Sequence, residues 1–62
     1  MSIIIEKNGK KVLELCRMYE GSGVFLHAIK RNGYYSIISA EKFASILDRA
    51  DEGGYNIFDY VF

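Results

Sequence analysis

The stretch Val12-Leu13-Glu14-Leu15-Cys16-Arg17-Met18-Tyr19-Glu20-Gly21-Ser22-Gly23-Val24-Phe25-Leu26-His27-Ala28-Ile29-Lys30 decides the fold. It reads as two strands joined by a glycine turn, and each strand is apolar on both faces. Residues two apart share a face of a strand. In residues 12–20 one parity holds Leu13, Leu15, Arg17 and Tyr19, and the other holds Val12, Glu14, Cys16 and Met18. In residues 24–30 the split is Phe25, His27 and Ile29 against Val24, Leu26 and Ala28. A sheet with one solvated face shows a clean apolar and polar alternation instead. The surplus calls for a second covering, which can be another copy of the chain, a partner protein or nucleobases.

Turn residues punctuate the chain on either side of this stretch. Residues 3–6 read as a strand, and Asn8-Gly9 is a hairpin turn because both residues tolerate positive φ. Residues 11–19 and 24–30 follow as the second and third strands, with Gly21-Ser22-Gly23 between them. Asn32-Gly33 is a second hairpin turn, leading into a short aromatic and β-branched strand at residues 34–38. The period then changes. Ser39 is a good N-cap, Glu41 suits the positive end of a helix dipole, and Phe43, Ile46, Leu47 and Ala50 form one helical stripe. Gly53-Gly54 supplies a left-handed C-cap, and residues 55–62 read as one more strand. The expected fold is α+β: an antiparallel sheet of four strands, then one helix and a C-terminal strand.

Sixty-two residues make one small domain, and a domain of this size holds only about 3–5 kcal/mol of stability from one core. Half of the residues are hydrophobic and 26% are charged, a globular rather than disordered balance. No apolar run approaches the ~20 residues that span a bilayer. The start, Met-Ser-Ile-Ile-Ile-Glu, lacks a basic segment and a long apolar run, so a cytoplasmic location is expected. The formal net charge is zero, yet it is unevenly spread. Residues 1–39 carry six basic against three acidic groups, and residues 40–62 carry two against five. Such a dipolar chain suits self-association or an anionic ligand on one side.

Catalytic and metal chemistry find no support in the sequence. The serines lie outside any nucleophile-elbow context, and His27 is the only histidine, so no metal site and no cofactor are expected. Asp51-Glu52 beside the helix end reads as solvated charge, and Gly21-Ser22-Gly23 lacks the lysine of a phosphate loop. Cys16 is the only cysteine and is expected to be a reduced, packed thiol. The chain is expected to bind rather than to catalyse. Lys10, Lys11, Arg17, Lys30 and Arg31 lie in or beside the hairpins, with Tyr19, Tyr34 and Tyr35 near them. Cations that follow phosphates and rings that stack on bases are the means by which single strands are held.

Two segments carry a family resemblance. They are Asn8-Gly9-Lys10-Lys11-Val12-Leu13-Glu14-Leu15-Cys16-Arg17-Met18-Tyr19 and Ser36-Ile37-Ile38-Ser39-Ala40-Glu41-Lys42-Phe43. Residues 7–48 resemble the single-stranded-DNA-binding domain of the transcriptional positive cofactor 4 family. There a Gly/Lys turn leads into an apolar strand ending in an arginine and an aromatic, and a later strand enters a helix through a polar cap. The resemblance implies a homodimer whose helices pair and whose curved sheets bind unpaired DNA. It places Lys11, Arg17 and Tyr19 at the family's second-strand positions and Lys30 at a basic position before the last strand. This chain differs in having Tyr34-Tyr35 where the family has Lys-Gly, in its neutral charge, and in its added residues 55–62.

Two functions are therefore expected. The first is a homodimeric binder of single-stranded nucleic acid in transcription or replication. In it Lys10, Lys11, Arg17, Lys30 and Arg31 neutralise phosphates, and Tyr19, Tyr34 and Tyr35 stack on bases. The second is a small protein-binding regulator of the phage or mobile-element kind, which acts by occluding its partner. Phe43, Ile46 and Leu47 are then core or dimer contacts. The tail bearing Phe58, Tyr60 and Phe62 either completes the core or pairs with a partner strand.

Overall fold

A computed structural model describes residues 1–60, the last of them by its backbone alone. The elements are β1 (Ser2–Lys7), β2 (Lys10–Tyr19), β3 (Phe25–Arg31), β4 (Tyr34–Ile38), α1 (Ala40–Glu52) and β5 (Asn56–Tyr60). All five strands join one antiparallel sheet in the order β4-β3-β2-β1-β5. This is the expected α+β architecture. Val61 and Phe62, expected at the end of the last strand, lie outside the described residues.

The turns follow directly from their residues. Asn8 and Gly9 have φ of 55° and 76°, and Asn32 and Gly33 have φ of 50° and 80°. Positive φ at both loop residues twists a two-residue hairpin the way its strands already twist. The pairs Lys7↔Lys10 and Arg31↔Tyr34 close these two loops. At the third turn the Glu20 N–H donates to the Val24 carbonyl at 3.2 Å, which holds Val24 in the turn and starts β3 one residue later than the sequence reading. A β-bulge interrupts the β1–β2 ladder. Ile5 pairs with Leu13 but Glu6 pairs with Lys11, leaving Val12 as the extra residue.

The helix is bounded as its sequence requires. The Ser39 hydroxyl accepts the Lys42 N–H at 3.1 Å. At the other end Gly54, at φ 75°, donates to the Asp51 carbonyl at 3.2 Å, and Tyr55 donates to the Ala50 carbonyl at 3.0 Å. These two bonds form a Schellman motif. They turn the chain back so that Tyr55 packs against the core.

The core lies between α1 and one face of the sheet. Phe43 and Ala50 meet Ile3, Ile5 and Leu15, with Leu13, Ile29, Ile38, Ile46, Leu47 and Tyr55 around them. Leu15 is fully buried at its centre. Phe43 is buried in this core, and Ile46 and Leu47 pack half-buried against it. They are spent on the chain's own sheet because the crossover from β4 to β5 lays the stripe across it. A helix is about 10 Å wide and five strands span roughly 24 Å, so one helix covers less than half of one face. The accessible surface is 4547 Å². A compact monomer of 7.1 kDa exposes about 4,080 Å² by the usual scaling.

Candidate binding surface

Among the described residues no element packs on the face of the sheet away from α1. Register sets its rows. One row runs Ser2, Cys16, Ala28 and Ile37 across β1, β2, β3 and β4. The next runs Phe58, Ile4, Glu14, Lys30 and Tyr35 across all five strands, and Met18 pairs with Leu26 on the other side of the first row. Cys16 and Ala28 are buried here without any helix above them, because short side chains sink between longer neighbours. Ile37, Tyr35 and Phe58 stand out of the same face at 61%, 50% and 42% exposure. The Cys16 thiol is free, as expected, and lies 3.9 Å from the Ser2 hydroxyl.

Charge is confined to one end of this face. Glu14, its side chain largely covered, pairs with Lys11 at 3.3 Å and with Lys30 at 4.0 Å. The Lys30 ammonium also lies 5.7 Å from the centre of the Tyr35 ring, within cation–π range. Both Asn-Gly hairpins project from this end, because β1–β2 and β3–β4 turn in the same direction. Lys7, Lys10 and Lys11 lie at one hairpin and Lys30 and Arg31 at the other, with Lys11 and Lys30 on this face and Lys7, Lys10 and Arg31 on the helix side by register. Between them lies a groove of about 260 Å³, lined by Lys11, Val12, Leu13, Glu14, Lys30, Arg31 and Asn32. Tyr34 and Tyr35, side by side on the outer strand β4, point to opposite faces beside it.

A second cluster occupies the far end of β2 and β3, on the helix side. The Arg17 guanidinium lies 5.3 Å from the Phe25 ring centre, and the Phe25 and Tyr19 rings are 5.4 Å apart. His27 meets the buried Phe43 ring edge-on at 4.7 Å and so serves packing. The eight residues expected to hold nucleic acid therefore do not share one surface. Lys10, Lys11, Lys30, Arg31, Tyr34 and Tyr35 lie at the hairpin end. Arg17 and Tyr19 lie about 20 Å or more along β2 from Lys11, at 3.3 Å per residue, on the side that α1 covers.

Three participants were missed by the sequence reading. Phe25 couples Arg17 to Tyr19, and its signal was its position directly across the glycine turn from Tyr19. Glu14 holds two of the lysines, and it was legible as the one acid on its parity of β2. Lys7 lies 4.7 Å from the Tyr55 ring centre, a contact that depends on where β5 sits and had no local signal. Of the tail residues, Phe58 faces outward from the helix-free side, the Tyr60 backbone pairs with Ser2, and Phe62 lies outside the described residues. Among the described residues no group of three metal-ligating side chains occurs, and no helix is long and apolar enough to cross a membrane. Compared with known proteins, the chain matches no protein-family model, no curated protein and no solved structure.

Proposed function

We propose that this chain is a non-enzymatic binding module that takes single-stranded nucleic acid at its hairpin end. The observation that carries the reading is the groove lined by Lys11, Lys30 and Arg31, with the exposed Tyr34 and Tyr35 on the strand beside it and Lys10 at the neighbouring turn. Phosphates would run along the groove between Lys11 and Arg31, and bases would stack on the two tyrosines of β4. The resemblance of residues 7–48 to the positive cofactor 4 family supports the same class of ligand. In this reading the contact surface is the hairpin end, and Arg17 and Tyr19 at the opposite end of β2 take no part in it. Fluorescence anisotropy with a labelled oligothymidylate tests the reading. Three to five engaged cations give a slope of log affinity on log salt of about −2 to −3.5, at roughly 0.7 per phosphate. No binding at low salt, or a flat salt dependence, refutes it.

A second reading, a small regulator that occludes a protein partner, is supported by the two outer strands. The outer edges of β4 and β5 are unpaired, and β4 carries the exposed, uncharged run Tyr34-Tyr35-Ser36-Ile37. An edge of that kind accepts an added strand. A pull-down repeated after nuclease treatment separates the two: loss of the captured material supports the first reading, and retention supports the second.

A further inference from the structure

We propose that the helix-free face of the sheet is a self-association surface, on which a second copy packs face to face to give a four-layer helix–sheet–sheet–helix dimer. This does not rest on the nucleic-acid reading, although Lys11, Glu14, Lys30 and Tyr35 border both surfaces. Three observations carry it.

The first is composition. The middle of the face, Cys16 and Ala28, is already dry, and Ile4, Met18, Leu26 and Ile37 surround it. Small central residues let an opposing sheet approach to the ~10 Å at which sheets interdigitate.

The second is charge. The acids and bases at the border of this face balance, since Glu14 faces Lys11 and Lys30 while Glu6 lies opposite Lys11 in the ladder. A face bearing both signs carries its own counter-charges. Under a two-fold axis it is complementary to itself, with Glu14 of each copy offered to Lys30 of the other.

The third is area. Five strands at about 4.8 Å and five residues at about 3.3 Å give a footprint of roughly 400 Å² per copy. Protruding side chains raise the accessible area above that projection. Two copies therefore bury on the order of 1,000 Å², the lower bound for a specific interface.

An interface this small dissociates on dilution, so sedimentation velocity from about 1 to 300 µM reads it directly. The untagged chain should sediment as twice 7.1 kDa at the high end and as a monomer at the low end. Ile37→Lys with Phe58→Lys places two charges per copy on the face at positions already exposed in the single chain. The far-ultraviolet circular dichroism should stay unchanged, and dimerisation should weaken at least about tenfold. Tyr34→Lys, on the same outer strand but on the helix side, should dimerise as the parent does. A parent that stays monomeric throughout overturns the proposal. So does a double variant that dimerises normally, or a Tyr34→Lys variant that is equally impaired, which would assign the contact to the strand edge. Should the double variant lose its fold, Ile37→Lys alone replaces it under the same criteria. Because no oligonucleotide is present, failure here leaves the nucleic-acid reading standing, and the converse also holds.

Discussion

Replacing Glu14 by glutamine should move stability and nucleic-acid affinity in opposite directions. In the free protein this carboxylate sits between Lys11 and Lys30, at 3.3 Å and 4.0 Å. The two lysine side chains keep 58% and 36% of their exposure, so water and salt screen both pairs. Exposed pairs of this sort contribute about 0.2–1 kcal/mol each, and the poorer geometry at 4.0 Å places the second near the bottom of that range. Removing the charge should cost up to about 1 kcal/mol. In a domain of 60–100 residues that lowers Tm by roughly 4–8 °C at most. On the ligand side the same carboxylate repels each phosphate drawn into the groove. A unit charge about 4 Å away in a high-dielectric setting is worth about 1 kcal/mol, so its removal should raise affinity about fivefold at low salt. Thermal denaturation by circular dichroism reads the first quantity and oligothymidylate anisotropy the second, both in the same low-salt buffer. An affinity that falls or stays level when Glu14 loses its charge refutes the assignment of the hairpin end as the phosphate-binding surface.

The remaining predictions concern the frame that holds this surface. Gly54→Ala should destabilise the chain by about 1–2 kcal/mol, because φ is 75° while nothing lies within 4 Å of an added Cβ, and Gly54→Asn should cost less. Gly53→Ala should also be unfavourable, but for contact rather than strain, since its Cβ would lie 2.9 Å from the Tyr55 ring and 3.2 Å from the Arg49 carbonyl; a Tyr55→Ala background should relieve the first contact and so part of the cost in a denaturation cycle. Leu15→Ala empties the centre of the core at a cost of about 2–5 kcal/mol, enough to leave a chain this small unfolded by circular dichroism. Ser39→Ala removes the acceptor of the Lys42 N–H and should cost about 1 kcal/mol in urea denaturation.

Much of the fold was legible because its signals are local. Asn8-Gly9 and Asn32-Gly33 demanded tight hairpins, Ser39 and Gly53-Gly54 bounded the helix, and the double apolar parity of β2 and β3 implied that one face of the sheet would remain uncovered. What could not be read was set by distant pairing. No residue of β5 states that it lies beside β1 rather than beside β4, and the contact of Lys7 with Tyr55 depends on that choice. The candidate site divided for the same reason. Arg17 and Tyr19 looked like neighbours of Lys11 and Lys30 along the chain, but the distance along β2 and the face they occupy carry them away. The bulge at Val12 shows the limit of the parity argument, since one extra residue ends the simple alternation at that point.

The placement of β5 governs how the molecule comes into being. Ser2 is the cross-strand neighbour of Tyr60, and Ile3 of Asp59, so the ladder closing the sheet joins β1 to a strand formed only after every other element of the fold. Contacts this remote in sequence are slow to form. During synthesis the outer edge of β1 stays open until β5 has left the ribosome, and a chain halted before then presents an unpaired template to its neighbours.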